Sequence, residues 1–304
     1  MCGIAGFFDK TRDNRNASVG QVLITMLEGL ACRGPDSTGV AVFGARVDRQ
    51  VVLRVKLGDR EDTSALTQTL TRFLDSHFGE GYELSHNGNS ARLVVKGVCD
   101  LPALAIRMEA LDKEIEVVSM GGSLEIIKQV GSPDNLEQTY GVSRLKGTHG
   151  LGHTRLSTES KVDLSHSQPF GSHQLADLAI VHNGHITNYH QLRRRYEQHK
   201  VRFYTENDSE VVAIYLADQL KKGSTLKGAL EAMLRDLDGS YSCLVATVNQ
   251  FGFVKDPFAL KPLLWAETEG FVALANEEIA IRCALPGAYD VREAQAREVR
   301  VWER

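Results

Sequence analysis

A cysteine at position 2 heads an apolar, glycine-punctuated run, Cys2-Gly3-Ile4-Ala5-Gly6-Phe7-Phe8, that reads as a buried strand. The start of the chain is therefore expected inside a core. Initiator methionine is normally removed ahead of a small second residue, which would leave Cys2 with a thiol and a free α-amine. Reference pKa values of about 8.5 for the thiol and about 7.7–8.0 for the amine make the amine the better matched base near neutral pH. It is also tethered beside its own nucleophile. A lysine, at about 10.4, would need a large downward shift for the same work. Taken alone, the tripeptide equally suits a small buried residue at a chain start. Cys32, Cys99, Cys243 and Cys283 bring the cysteines to an odd number with no C-x-x-C pair. A disulfide scaffold or zinc ribbon is not expected, and a reducing cytoplasm is the expected home.

Behind the first run, Ser18 and Gln21 form a capping-box pattern ahead of Val19, Val22, Leu23, Met26, Leu27 and Leu30 at helical spacing. The helix stops near the turn Arg33-Gly34-Pro35. A strand over Val40 to Phe43 follows, with Val51 to Val55 as its hairpin partner. Residues 58–118 change character: a helix around Ala65 to Phe78, a turn at His86 to Ser90, a strand at Leu93 to Val95, a helix over Pro102 to Leu111 and a strand at Ile115 to Met120. We read this as a small β/α insertion on a main domain spanning 1–304. From Leu124 the pattern returns to strands and glycine-rich loops. Helices follow near Tyr189–Lys200, Asp208–Lys222 and Leu226–Leu237, then mostly strands to Trp302. Strands, paired helices and strands again predict an α+β protein with sheets packed between helices.

Composition narrows the classes of function. The 304 residues, 42% hydrophobic and 24% charged, suffice for one large or two small domains. Lys+Arg 35 against Asp+Glu 39 leaves a net charge of -4, which argues against a nucleic-acid or anionic-membrane surface. No apolar run approaches the roughly 18 residues of a membrane span, and no signal peptide is expected.

Five blocks carry the chemistry: Cys2 to Gly6; Arg33-Gly34-Pro35-Asp36-Ser37-Thr38-Gly39; Gly152-His153-Thr154-Arg155-Leu156-Ser157-Thr158; His182-Asn183-Gly184-His185-Ile186-Thr187-Asn188; and Thr205-Glu206-Asn207-Asp208-Ser209-Glu210. Each alone is ordinary. Asn183-Gly184 is a turn dipeptide, Arg155 a surface ion-pair residue, and Asp208 a helix-capping acid. Together, in this order, they resemble the class II, N-terminal-nucleophile glutamine amidotransferases over about 1–50 and 125–285. The resemblance implies a four-layer αββα sandwich of the N-terminal nucleophile hydrolase type.

It also implies roles. Cys2 would attack the glutamine side-chain amide, with its own amine as proton shuttle. Asn183 and the Gly184 N–H would hold the oxyanion, where glycine suits a close backbone approach. Arg155 would fork onto the substrate carboxylate, Thr158 would add a contact, and Asp208 would pair with the substrate ammonium. Arg33 and Gly34 would shape the loop beside the nucleophile. His149, His153, His182 and His185 fit no zinc pattern, so no metal is expected and turn or loop polar roles are.

Departures from the family pattern are as telling. Lys255-Asp256-Pro257-Phe258-Ala259-Leu260-Lys261-Pro262 stands where many members carry Arg-Asp-Pro-x-Gly-x-(Arg/Lys)-Pro; Asn276-Glu277 replaces a Ser-Glu pair, and Glu159 replaces the histidine of the sugar-phosphate branch. No nucleotide-activation motif occurs. The acceptor chemistry is therefore expected on another chain, in a hetero-oligomer resembling glutamate-synthase-type enzymes such as N-methylglutamate synthase. FMN and an iron–sulfur cluster would reside on that partner, with no cofactor on this chain. The alternative is a non-catalytic amidotransferase-like subunit, which retention of Met1 would favour by blocking the Cys2 amine.

Overall fold

The computed structural model describes residues 2–11, 18–47, 49–59, 62–97, 99–157 and 161–304. In chain order, β1 (Gly3–Asp9), α1 (Val19–Gly29), β2 (Ser37–Phe43) and β3 (Gln50–Leu57) precede α2 (Ser64–Phe78), β4 (Tyr82–Asn87), β5 (Ser90–Lys96), α3 (Leu101–Glu109) and β6 (Ile115–Gly121). Next come β7 (Leu124–Val130), α4 (Pro133–Tyr140), β8 (His149–Arg155), β9 (Phe170–Ser172) and β10 (Leu175–Ile186), then α5 (Tyr189–Gln198), α6 (Asp208–Lys221) and α7 (Leu226–Asp236). The last elements are β11 (Gly239–Ala246), β12 (Gln250–Lys255), β13 (Leu264–Glu267), β14 (Phe271–Ala275), α8 (Glu278–Ala284), β15 (Arg292–Glu293) and β16 (Val299–Glu303).

Two sheets form the centre: one ordered β15-β13-β14-β1-β8-β2-β7, the other β16-β12-β11-β10-β9. The period-2 alternation of the strands sorts their side chains between layers. In β1, Ile4 and Phe8 pack between the sheets with Leu151, Val181, Leu244 and Phe251. Ala5 and Phe7 face outward onto Leu23, Met26 and Leu27 of α1. The other sheet turns Ile180, Tyr241, Cys243 and Val245 outward beneath α6 and α7. In α6 every residue from Ser209 to Ala217 is buried, as expected of a helix covered on all sides. The result is helix, sheet, sheet, helix. Each buried Leu, Ile or Phe in these layers contributes roughly 1.5–3 kcal/mol relative to exposure.

A third sheet, β4-β5-β3-β6, carries α2 and α3 and has its own core around Leu53, Val55, Leu93 and Val117. The expected hairpin between Val40–Phe43 and Val51–Val55 does not form. β2 pairs instead with β7 and β8, and β3 with β5 and β6. Both runs are β-branched and apolar, and nothing local to either names its partner. The capping box at Ser18 is absent too: Ser18 Oγ donates to the Ser143 carbonyl at 3.0 Å. A capping box forms instead at Ser132 and Asn135, opening α4 in a stretch whose pattern predicts strands and loops.

Candidate active site

Cys2 sits just ahead of β1, between the middle strands of the larger sheet, where Gly3 pairs with Thr154 of β8. Its thiol points at the Leu156 carbonyl, 3.7 Å away. Its own carbonyl accepts from Arg33 Nε at 3.2 Å. Arg33 Nη1 meets Glu277 Oε1 at 2.6 Å, so the guanidinium is aimed by a carboxylate 244 residues away in sequence. Gly34 packs against the backbone of β8: a Cβ there would lie 2.4 Å from the Thr154 carbonyl carbon and 2.5 Å from Arg155 N. One residue past Pro35, the Asp36 N–H donates to the Arg155 carbonyl at 3.0 Å, and its carboxylate accepts from Ser157 N at 2.7 Å. The Arg33–Asp36 turn therefore fixes both Cys2 and the exit of β8.

Arg155 ends β8 and is only 4% exposed, which sets it apart from a surface ion-pair residue. Burial draws its pKa downward while the nearby Cys2, Asp163 and Asp36 push it up. Nη1 donates to the Lys161 carbonyl at 2.8 Å and Nη2 to Ser157 Oγ at 3.5 Å. The Lys161 loop is braced by Asp163, which His166 meets at 2.7 Å. Burial pushes the Asp163 carboxyl up, but the His166 hydrogen bonds win and bring it to about 2. Thr158 lies outside the described residues, as do Met1 and Glu159.

Asn183 and Gly184 form no turn. Both lie within β10, opposite Ser242 and Tyr241 of β11. The Asn183 side chain is 4% exposed and its amide nitrogen donates to no acceptor among the described residues. Gly184 has φ 151°, and a Cβ there would fall 2.1 Å from the Ser240 carbonyl oxygen and 2.6 Å from Tyr241 Cα. Only glycine fits. Asp208 opens α6 behind Asn207, which is the actual N-cap. Its Oδ2 accepts from Ile186 N at 2.9 Å, tying the helix start to the end of β10. β1 and β10 face one another across the inter-sheet layer, so the Cys2 end of one sheet and the Asn183–Asp208 end of the other belong to one region.

Several residues outside the candidate set serve this region; of these, Asn276 and Lys255 stand out in the sequence only as departures from the family pattern. Gln168 clamps β10 at two points, accepting from His182 N at 2.7 Å and donating to its carbonyl at 2.8 Å. Asn276 Oδ1 accepts from Ile4 N at 2.5 Å while its Nδ2 donates to the Pro262 carbonyl at 2.6 Å, joining β1 to the 255–262 loop. Across the smaller sheet, Asn183, Ser242 and Lys255 stand in one row, and buried Lys255 donates to Ser242 Oγ at 3.3 Å. The histidines depart from their expected loop roles. His149 stacks on Phe43 at 4.4 Å, and burial lowers it to about 4 and His153 to about 3, so both are neutral strand-interior residues. His182 is buried as well, with Nδ1 2.9 Å from Ser209 Oγ; only His185 is exposed. A 630 Å³ cleft over α5 and α6 and a 520 Å³ cavity beside β6 contain none of the described candidate site residues of the five blocks.

Residues 153–282 match the family described as Glutamine amidotransferase domain. The chain is 35% identical to a protein of Methanothermobacter thermautotrophicus named as a candidate glutamine amidotransferase, over 309 residues and 100% of both chains. It is also 35% identical to glutamine amidotransferase-like protein GlxB of Rhizobium meliloti, over 100% of this chain and 95% of that one. Two solved structures share the fold at 20% identity. One, the allosteric regulatory enzyme of purine biosynthesis, superimposes with a TM-score of 0.63 over 99% of this chain and 47% of its own. The other, the glutamine phosphoribosylpyrophosphate amidotransferase of B. subtilis, has a TM-score of 0.60 over 99% of this chain and 49% of its own. This chain thus spans about half of each solved chain. The layered architecture is that of the N-terminal nucleophile hydrolases. Within that class, the chain belongs to the class II glutamine amidotransferases, whose reaction is hydrolysis of the glutamine side-chain amide with transfer of the ammonia.

Proposed function

We propose that this chain hydrolyses glutamine at Cys2 and hands the ammonia to a synthase partner in a hetero-oligomer. One observation carries the reading: the Asn183 amide nitrogen is buried yet donates to nothing among the described residues, in the strand that also holds Gly184 where no side chain fits. A buried donor without an acceptor costs about 1–3 kcal/mol, a price that makes sense where charge will develop.

With Met1 removed, the Cys2 α-amine takes the thiol proton and Sγ attacks the carboxamide carbon. A C–S bond forms and the carbonyl π pair moves to oxygen, which Asn183 Nδ2–H and the Gly184 N–H stabilise. Collapse breaks the C–N bond, and ammonia leaves with the proton returned by the α-ammonium. Water then cleaves the thioester to glutamate and free thiol. Arg155 binds the substrate carboxylate, Thr158 adds a contact, and Asp208 pairs with its ammonium. Arg33 and Gly34 support the nucleophile.

The partner is a glutamate-synthase-like subunit, as in N-methylglutamate synthase, and bears the FMN and the iron–sulfur cluster. Phe258 and Leu260, 66% and 72% exposed, offer it an apolar edge on a loop tied to the site through Asn276 and Ser242. Intact mass together with labelling by a thiol-reactive glutamine analogue tests the chemistry. The expected result is a chain lacking Met1, modified once, at Cys2. A chain that keeps Met1 and resists labelling would instead be a glutamine-binding subunit without turnover. Tagged purification from the native host, with an assay on what copurifies, tests the partner.

A further inference from the structure

A cavity of 520 Å³ lies between the third sheet, with α3, and the main body. Its walls are largely apolar, with Ile106, Val117, Met120, Leu124, Phe170 and Leu175 among them. Its volume falls in the range that holds a small organic molecule. One wall residue stands out. Lys128 of β7 is 7% exposed, and its ammonium lies over the Phe170 ring at 4.7 Å. It makes neither a hydrogen bond nor an ion pair among the described residues, and it lines the cavity.

The carboxylates of the same wall are already engaged. Glu109 accepts from Val117 N at 2.9 Å, His173 at 3.1 Å and Tyr204 OH at 2.6 Å. Glu210 accepts from Tyr204 N, Thr205 N and Thr205 Oγ1 at 2.7–2.9 Å. Glu116 accepts from Ser165 Oγ at 2.5 Å. Arg202 Nη1 also meets Glu109 Oε2 at 3.5 Å, while Lys200 and Lys221 line the cavity as further cations. A buried, unpaired ammonium costs free energy that an anionic ligand would offset. Glu116 and Glu210 bear on Lys128 electrostatically, which disfavours a doubly charged head such as a phosphate monoester.

We propose that this cavity is a second small-molecule site, distinct from the Cys2 region, that takes an amphipathic monocarboxylate with its carboxylate on Lys128 and its hydrocarbon body against the apolar wall. Burial lowers Lys128 to about 8, so the ammonium is still the main form at neutral pH and a bound carboxylate would reinforce it.

The test is calorimetric titration of the full chain at pH 7, without glutamine, so that it does not depend on the glutaminase reading. The probes are octanoate and octylamine. Octanoate should bind one per chain with a Kd below about 1 mM, and octylamine at least about tenfold more weakly. Lys128→Met should weaken octanoate at least about tenfold. Leu175→Trp, which fills the cavity and leaves Lys128 in place, should do the same. Absence of octanoate binding up to about 10 mM would overturn the proposal, as would equal affinity for octylamine or wild-type affinity in either variant.

Discussion

Arg33 donates from Nε to the carbonyl of Cys2 at 3.2 Å, and the same guanidinium is held from behind by Glu277 at 2.6 Å. The backbone of Cys2 is thus held through Arg33 by a carboxylate near the other end of the sequence, while its thiol has, among the described residues, a hydrogen-bond contact at 3.7 Å to the Leu156 carbonyl. On the proposed mechanism the scaffold supplies position and Cys2 supplies reactivity. Glu277→Ala should free Arg33 and lower kcat by about tenfold with a smaller change in KM, because misplacement of a reacting group acts on the chemical step. Steady-state kinetics with glutamine check this; an unchanged kcat would remove Glu277 from the argument.

Cys2→Ala and Cys2→Ser should each abolish glutaminase turnover and leave glutamine binding near the wild-type level. Of the other cysteines, burial pushes the Cys243 thiol far up and raises Cys99 as well, while Cys32 and Cys283 are exposed. Ammonia release measured alongside equilibrium binding separates the two quantities.

Asn183→Ala should lower kcat by about 10²–10³, the usual loss for one oxyanion donor, with a lesser effect on KM. Arg155→Lys should mainly raise KM, since an ammonium lacks the planar two-point fork. A change confined to KM in the Asn183 variant would contradict the roles assigned here.

Gly184→Ala introduces a methyl group 2.1 Å from the Ser240 carbonyl oxygen at a φ of 151°. Backbone must move in β10 or β11, and stability should fall by about 2 kcal/mol or more. Denaturant unfolding measures the loss, and glutaminase activity should fall with it even in the folded fraction.

Lys128→Met should stabilise the protein at neutral pH. A lysine whose folded pKa lies below its unfolded value destabilises wherever it is charged in both states. With Lys128 lowered from 10.5 to about 8, that penalty is full below about 8, fades as pH rises from there toward 10.5, and then vanishes. At pH 7 it amounts to about 3 kcal/mol. Paired unfolding curves from pH 6 to 10 read it directly. A variant less stable than wild type at pH 7 would refute the account of this residue.

The sequence carried much of this region because its members sit in short contiguous blocks whose residue types match one chemistry. Arg33-Gly34 and Arg155 converge on Cys2, and Asn183-Gly184 and Asp208 meet at the end of β10. What stayed hidden was long-range. Asn276 stands out in the sequence only as a departure from the family pattern, and its hold on Ile4 and Pro262 exists only once β14 lies beside β1. Gln168 carries no local mark of its clamp on His182. The partners of β3 are hidden for the same reason, since its alternation states that one face is buried but not against what. His149 and His153 looked like loop residues because their neighbours are glycines; in the fold those glycines let strands and helix pack closely around β8.

The third sheet has a further consequence. Leu57 pairs with Ile115, and Gly58 N donates to the Glu114 carbonyl at 2.9 Å, so the chain leaves and returns at adjacent points. Everything between could be lengthened, shortened or exchanged without rethreading the strands on either side. Such a hinge of adjacent ends is a natural graft point. A change of module there would remodel the wall beside Lys128 while β1 and β10, which position Cys2 and Asn183, keep their register.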